Sequence, residues 1–282
     1  MKTVIFTNQK GGVGKTTLCR NIGWQLAAKR YKVLLIDADG QGNLTKSFTD
    51  EEVPGLYEAL TGSGIHFHEI RENLSLLSGG SKLSLLEKQL ASEIDGYTRL
   101  SELIGTPNFE GFDLIFIDSP PSLGMLTANG LAAASYLLIP MNASLFSMQG
   151  TNYLLETVAK VTKTFNQDLS LLGVVINTFE VVPVISRQIR EEIIESFGEV
   201  MFKTVIHKSI KIEEAVACQC GVTELTGSGT QKINVEIEAL SAELIVRLSR
   251  EDALNPIIEA AIKPTDGALN HTSTELSNHA RS

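Results

Sequence analysis

The chain has 282 residues, 43% of them hydrophobic and 20% charged, enough for one sizeable α/β domain or two small ones. No apolar run reaches the roughly 18 residues that span a bilayer, and Val4-Ile5-Phe6 is too short for a secretory signal, so a cytoplasmic protein is expected. The net charge of −9 argues against a nucleic-acid partner only at first sight. Residues 50–120 hold 4 Lys+Arg and 13 Asp+Glu, so the rest of the chain holds 20 of each, which leaves composition silent on DNA.

In chain order, Thr3–Thr7 predicts a short strand, followed by a glycine-rich turn and a helix from about 16 to 29 with Leu18, Ile22, Trp24 and Leu26 on its apolar face. Val33-Leu34-Leu35-Ile36, ending in Asp37, is a continuous apolar run of the kind found in strands buried on both faces of a parallel sheet. The pattern returns at Leu114–Ile117, ending in Asp118, and at Tyr136–Ile139 and Leu171–Ile176. Helices are expected near 81–91, 97–105, 122–134 and 147–165. Further on, helices are expected at 186–197, 211–218 and 232–249, with a short strand near 203–206. This alternation predicts an α/β fold, a doubly wound and mainly parallel sheet flanked by helices. A single domain over 1–264 is expected, followed by a disordered polar tail over 265–282. Cys19, Cys218 and Cys220 read as packing residues, since the spacing of the last two is not that of a zinc or redox pair. His66 and His68 fall in a polar stretch with no further ligands beside them, so they read as loop or strand residues.

The stretch Gln9-Lys10-Gly11-Gly12-Val13-Gly14-Lys15-Thr16-Thr17 lies between the first strand and the first helix. Glycines there let backbone N–H groups converge on phosphate oxygens, and the helix adds its positive end. Lys15 has the reach for β- and γ-phosphates, and the Thr16 hydroxyl is placed for Mg²⁺. Asp37 and Asp39 follow the carboxyl end of a buried strand, where ligands bind in open α/β sheets. Asp118 follows a second such strand, in the Walker B arrangement that holds Mg²⁺.

Gln9 stands where the general phosphate-loop pattern has its first glycine, and Lys10 adds a second lysine. This variant, KGGVGKTT, resembles the deviant phosphate loop of the ParA/MinD group of ATPases. The resemblance covers about residues 1–250, with specific motifs at 8–17, 35–45 and 113–124. It implies an ATP- and Mg²⁺-dependent ATPase whose nucleotide is held by Lys10, Gly11, Gly12, Val13, Gly14, Lys15, Thr16, Thr17, Asp37 and Asn177. The metal would be held by Thr16, Asp118 and Asp37. The catalytic set is Lys10, Lys15 and Asp39. Lys10 reaches across an ATP-sandwiched homodimer, Asp39 positions the attacking water, and Asn177 meets the base. Position 40 is Gly where the family has Pro, which predicts a looser turn after Asp39.

Thr204–Ala215 is similar to a ParA stretch, with His207 and Lys208 where the family has Pro and Arg. On that likeness Arg187, Arg190, Lys208 and Lys211 are the candidate DNA contacts, made to phosphates and therefore salt-sensitive. The resemblance implies non-specific DNA binding, plasmid or chromosome partition, slow hydrolysis stimulated by a ParB-like partner, and nucleoid association. The start of the glycine-rich loop at residue 10 resembles the small ParA form, and by that likeness no N-terminal helix-turn-helix domain is expected. The absence of cysteine between 20 and 217 excludes a nitrogenase-type iron protein, and Cys218-Gln219-Cys220 has the wrong spacing for an iron–sulfur scaffold. Asn270–Ser282 contains one large aliphatic residue, Leu276, which argues against a membrane-anchoring helix. An ATP-gated switch that positions a non-DNA cargo and a MinD-like membrane ATPase are the alternative readings.

Overall fold

A computed structural model describes residues 1–142, 145–177 and 197–250, with the side chains of 145–153 excepted. Arg187, Arg190, the helix expected from residue 186 and the tail expected over 265–282 lie outside these residues.

Seven strands form one sheet: β1 (Lys2–Phe6), β2 (Val33–Asp37), β3 (His68–Arg71), β4 (Leu74–Leu77), β5 (Leu114–Asp118), β6 (Tyr136–Met141) and β7 (Ser170–Ile176). Their order is β3-β4-β2-β5-β1-β6-β7, and only the β3–β4 pair is antiparallel. The expected doubly wound sheet is therefore present, with β3 as an antiparallel edge. From β1 the chain passes to β2 and β4 on one side, then to β6 and β7 on the other. The carboxyl end of β1 thus lies where the winding reverses, which is where open sheets bind ligands.

The helices are α1 (Lys15–Ala28), α2 (Asn43–Lys46), α3 (Leu56–Leu60), α4 (Lys82–Leu90), α5 (Arg99–Ile104), α6 (Met125–Ala133), α7 (Leu145–Phe165), α8 (Ile210–Ala217) and α9 (Thr230–Leu248). Alternate strand residues feed two cores, as the two-residue period of a strand requires. Ile5, Leu34, Ile36, Ile115, Ile117, Leu137 and Ile139 pack with residues of α3 to α7 on one face. Val4, Phe6, Val33, Leu35, Leu114 and Phe116 pack with α1 and α9 on the other.

Two expectations differ from the structure. The α1 helix is buried nearly all round rather than along one stripe, because it lies between the sheet and α9; Arg20, Asn21 and Gln25 are buried with its apolar residues. The segment 203–206 is not a strand. It runs alongside β7, where the amide N–H of Phe202 donates to Val174 and that of Ile206 to Ile176, and Glu243 of α9 takes up the N–H groups of Lys203 and Thr204. His68 lies on the edge strand β3 with Nε2 3.1 Å from the Pro54 carbonyl.

Candidate active site

Four chain segments meet at the carboxyl ends of β1, β2 and β5. The loop after β1 turns through Gly12 and Gly14, with φ of +74° and +88°, a region that L side chains rarely adopt. Gly14 immediately precedes α1. A Cβ there would stand 1.8 Å from Asn177 Nδ2, so glycine is needed for both conformation and space. Asn8 steadies the approach: its Nδ2 donates to the Pro140 carbonyl at 2.7 Å, and its Oδ1 accepts from the Lys10 N–H at 3.0 Å.

In-register pairing of β2 with β5 sets Asp37 directly beside Asp118. Both are fully buried. Asp37 Oδ2 accepts from the Thr45 N–H and hydroxyl, each at 2.8 Å, and Oδ1 accepts from the Asp39 N–H at 3.1 Å. Burial raises the Asp37 carboxyl to about 6 despite these donors. Burial and the neighbouring Asp37 raise Asp118 well above the ordinary carboxylate range. Its Oδ2 accepts from the Thr16 hydroxyl at 2.6 Å, while its buried Oδ1 has no hydrogen-bond partner among the described residues.

Lys15 is almost fully buried; burial lowers its pKa, against the attraction of Asp118 and Asp39. Two carboxylates side by side, an orphaned oxygen and one hydroxyl form a hard-oxygen donor set that fits a small divalent cation. A cation there would remove the charge repulsion that now pushes both carboxyls up.

Asp39 is 9% exposed, and its Oδ1 accepts from the Gln41 N–H at 2.9 Å. The turn that follows is closed by a hydrogen bond from the Gly42 N–H to the Asp39 carbonyl at 3.0 Å. The turn with Gly40 is thus pinned at both ends, not loose. Lys10 Nζ donates to Asn142 Oδ1 at 3.4 Å, just past the end of β6. Asn177 is buried at the end of β7; its Nδ2 donates to the Val13 carbonyl at 2.9 Å, and its Oδ1 has no partner among the described residues. Lys208 is exposed and Lys211 pairs with Glu214 at 2.7 Å, both remote in sequence from the carboxylate cluster. A cleft of about 760 Å³ opens beside the Asp39 loop, lined in part by Gln41, Lys46, Glu51, Tyr57 and Ser81; none of Lys10–Thr17 lines it.

Sequence reading missed Thr45 and Gly79. Thr45 holds Asp37 and also accepts the Gly79 N–H at 2.8 Å, and a Cβ at Gly79 would stand 2.7 Å from the Asp37 carboxyl carbon. Only the fold brings residues 37, 45 and 79 together.

The comparisons with known proteins agree with this fold. A family profile described as "AAA domain" matches residues 1–171. The chromosome-partitioning ATPase Soj of Treponema pallidum is 34% identical over 219 residues, covering 76% of this chain and 86% of that protein. The chain belongs to the ParA/Soj family of partition ATPases. Among solved structures, an ATP complex of McdA from Cyanothece matches with a TM-score of 0.77 at 27% identity, covering 86% of this chain and 96% of that one. Cobyrinic acid a,c-diamide synthase from Mycobacterium smegmatis, with bound ADP and magnesium, matches with a TM-score of 0.69 at 28% identity over 77% of this chain and 93% of that one. The candidate site residues of this ParA-family member gather at the ends of β1, β2 and β5.

Proposed function

We propose that this chain is a ParA-like ATPase that binds ATP with Mg²⁺, dimerises around the nucleotide and uses that state to hold DNA for partition. The observation that carries the reading is the buried Asp37–Asp118 pair beside Lys15 and Thr16, two carboxyls raised by burial with Asp118 Oδ1 unpartnered among the described residues. The backbone of Gly11–Thr17 would cradle the phosphates, with Lys15 on the β- and γ-oxygens. Thr16, Asp118 and Asp37 would hold Mg²⁺, which supplies charge neutralisation of the phosphoryl oxygens. Asp39 orients water in line with the γ-phosphate, and Asn177 Oδ1, which has no partner among the described residues, is an acceptor for the adenine amino group. Lys10, at the rim by Asn142, extends to the phosphates of a second subunit.

DNA phosphates would be met by Lys208 and Lys211, with Arg187 and Arg190 as further candidates. A ParB-like partner would stimulate hydrolysis, open the dimer and release the DNA, so the protein works on the nucleoid in the cytoplasm. Relatives named for chromosome partitioning favour this reading over a switch for another cargo. Binding to random-sequence duplex DNA with ATP, ADP or no nucleotide, across a salt series, tests it. Retention with ATP alone, falling steeply as salt rises, is expected. ATP turnover without DNA binding in any state would favour the positioning switch.

A further inference from the structure

Arg20 lies in α1, one turn beyond Thr16, and is 1% exposed. A buried guanidinium costs several kcal/mol unless a carboxylate or equivalent partner offsets it. Here its described hydrogen-bond partners are all neutral. Nε donates to Ser47 Oγ at 3.1 Å; Nη2 donates to the carbonyls of Ser47 at 3.4 Å, Ala215 at 3.3 Å and Cys220 at 2.8 Å; buried Nη1 has no partner among the described residues. The group lies over the Phe48 ring at 4.8 Å and nearer the edge of the Trp24 contact range at 5.9 Å. Burial lowers its pKa to about 10. A methionine of similar length would fill the same space without the charge, so packing alone does not explain the residue.

The acceptors belong to two segments far apart in sequence. Ser47 closes α2, whose Thr45 holds Asp37 Oδ2, and the Ser47 hydroxyl is itself tied to the Leu44 carbonyl at 2.6 Å. Ala215 and Cys220 belong to the end of α8 and the turn after it, where the Ala215 carbonyl also accepts the Cys220 N–H at 3.0 Å and the negative end of the helix favours a cation. The neighbouring face of α1 docks the same turn. Asn21 Oδ1 accepts from the Val222 N–H at 3.4 Å, and Gly221 packs so tightly on Trp24 that a Cβ would stand 2.1 Å from its ring. A continuous set of bonds thus runs from Asp37 through Thr45, α2 and Ser47 to Arg20, and on to α8, whose first turn and N-terminal flank carry Lys211 and Lys208.

We propose that Arg20 is a positioning residue that ties the Asp39-bearing loop to α8, so that movement of the loop on nucleotide binding is passed to the segment carrying Lys208 and Lys211. The proposal rests on the ATPase reading of the carboxylate site and not on DNA binding.

Hydrogen exchange of the full chain, with ADP and with a non-hydrolysable ATP analogue plus Mg²⁺, tests it without DNA present. In the unaltered protein the analogue should slow exchange relative to ADP by about threefold or more in both 39–48 and 210–222. In Arg20→Met and in Ser47→Ala, analogue affinity should stay within about threefold, the response of 39–48 should remain, and that of 210–222 should disappear. Arg20→Lys, which keeps the charge but not the fork that spans both segments, should behave like Arg20→Met. A merely structural role would speed exchange of 210–222 in both nucleotide states and leave their difference intact, and that result would overturn the proposal. So would a 210–222 segment that ignores the nucleotide in the unaltered protein. If 39–48 also fails to respond there, the ATPase reading falls with it. Should Arg20→Met not fold, Ser47→Ala and Arg20→Lys give the same reading.

Discussion

At Gly14 two demands coincide: a φ of +88° and room for the Asn177 amide, which would lie 1.8 Å from any Cβ. Gly14→Ala should therefore cost about 1–2 kcal/mol in backbone strain and about 1 more by displacing the Asn177–Val13 hydrogen bond. Chemical unfolding should register the loss, and an ATP titration should show affinity falling by more than about tenfold. Asp39 invites the opposite separation of effects. Its side chain holds the Gln41 N–H and takes no part in the Thr16–Asp118 contact. Asp39→Ala should keep ATP affinity within a few-fold while turnover falls by about a hundredfold or more; normal turnover would remove the water-positioning role from this residue. Lys15, Thr16, Asp37 and Asp118 were legible because their neighbours in sequence form recognisable strand ends and a glycine turn. Arg20 was not, since a single arginine on a helix reads as a solvated charge until Ser47 and Cys220 are brought beside it.

Among the elements, β2, β5, β6 and β7 were legible because burial on both faces leaves an unbroken apolar run, which a parallel sheet requires. The β3–β4 hairpin was not. His68–Arg71 is a charged edge with no residue fully buried, the strands are four residues each, and their turn depends on Asn73 in the left-handed region at φ +66°. The expected 203–206 strand failed for a related reason: Glu243 of α9 takes up the N–H groups of Lys203 and Thr204, at 2.9 and 3.1 Å, and the segment meets β7 through Ile206 rather than along a ladder. Burial opposes ionisation of Glu243, yet those donors, the Thr204 hydroxyl and Arg247 hold its pKa below the usual value. A depressed folded-state pKa means stability that is present above the unfolded value of 4.5 and lost as pH falls through the folded one. Urea unfolding of Glu243→Gln should therefore show a flatter dependence on pH below about 4.5 than the unaltered protein. Glu243→Ala, which removes the carboxylate facing Arg247 and leaves the Lys203 and Thr204 N–H groups without their acceptor, should lose about 2–3 kcal/mol at neutral pH. Parallel acid profiles for Glu243→Gln and the unaltered chain would show that the carboxylate adds nothing here.

For the whole molecule, the sheet brings the glycine loop, the Asp39 loop and the end of β6 with Asn142 to one rim. Lys10 stands on that rim beside Asn142 rather than within the carboxylate cluster. The family and the sheet were readable from motifs and periodicity; the coupling of α8 to α1 was not, because it depends on residues 20, 47, 215 and 220, which no local pattern links. In the proposed mechanism ATP closes two copies of this chain around shared nucleotide sites. The solution mass of Asp39→Ala, measured by light scattering with Mg²⁺ and either ATP or ADP, tests it most directly, with Lys10→Ala added in the same background. The mass should double with ATP and stay unchanged with ADP, and the dimer should weaken or vanish once Lys10 is removed. A chain that binds ATP yet stays monomeric at every concentration, or a dimer indifferent to both nucleotide and Lys10, would contradict it.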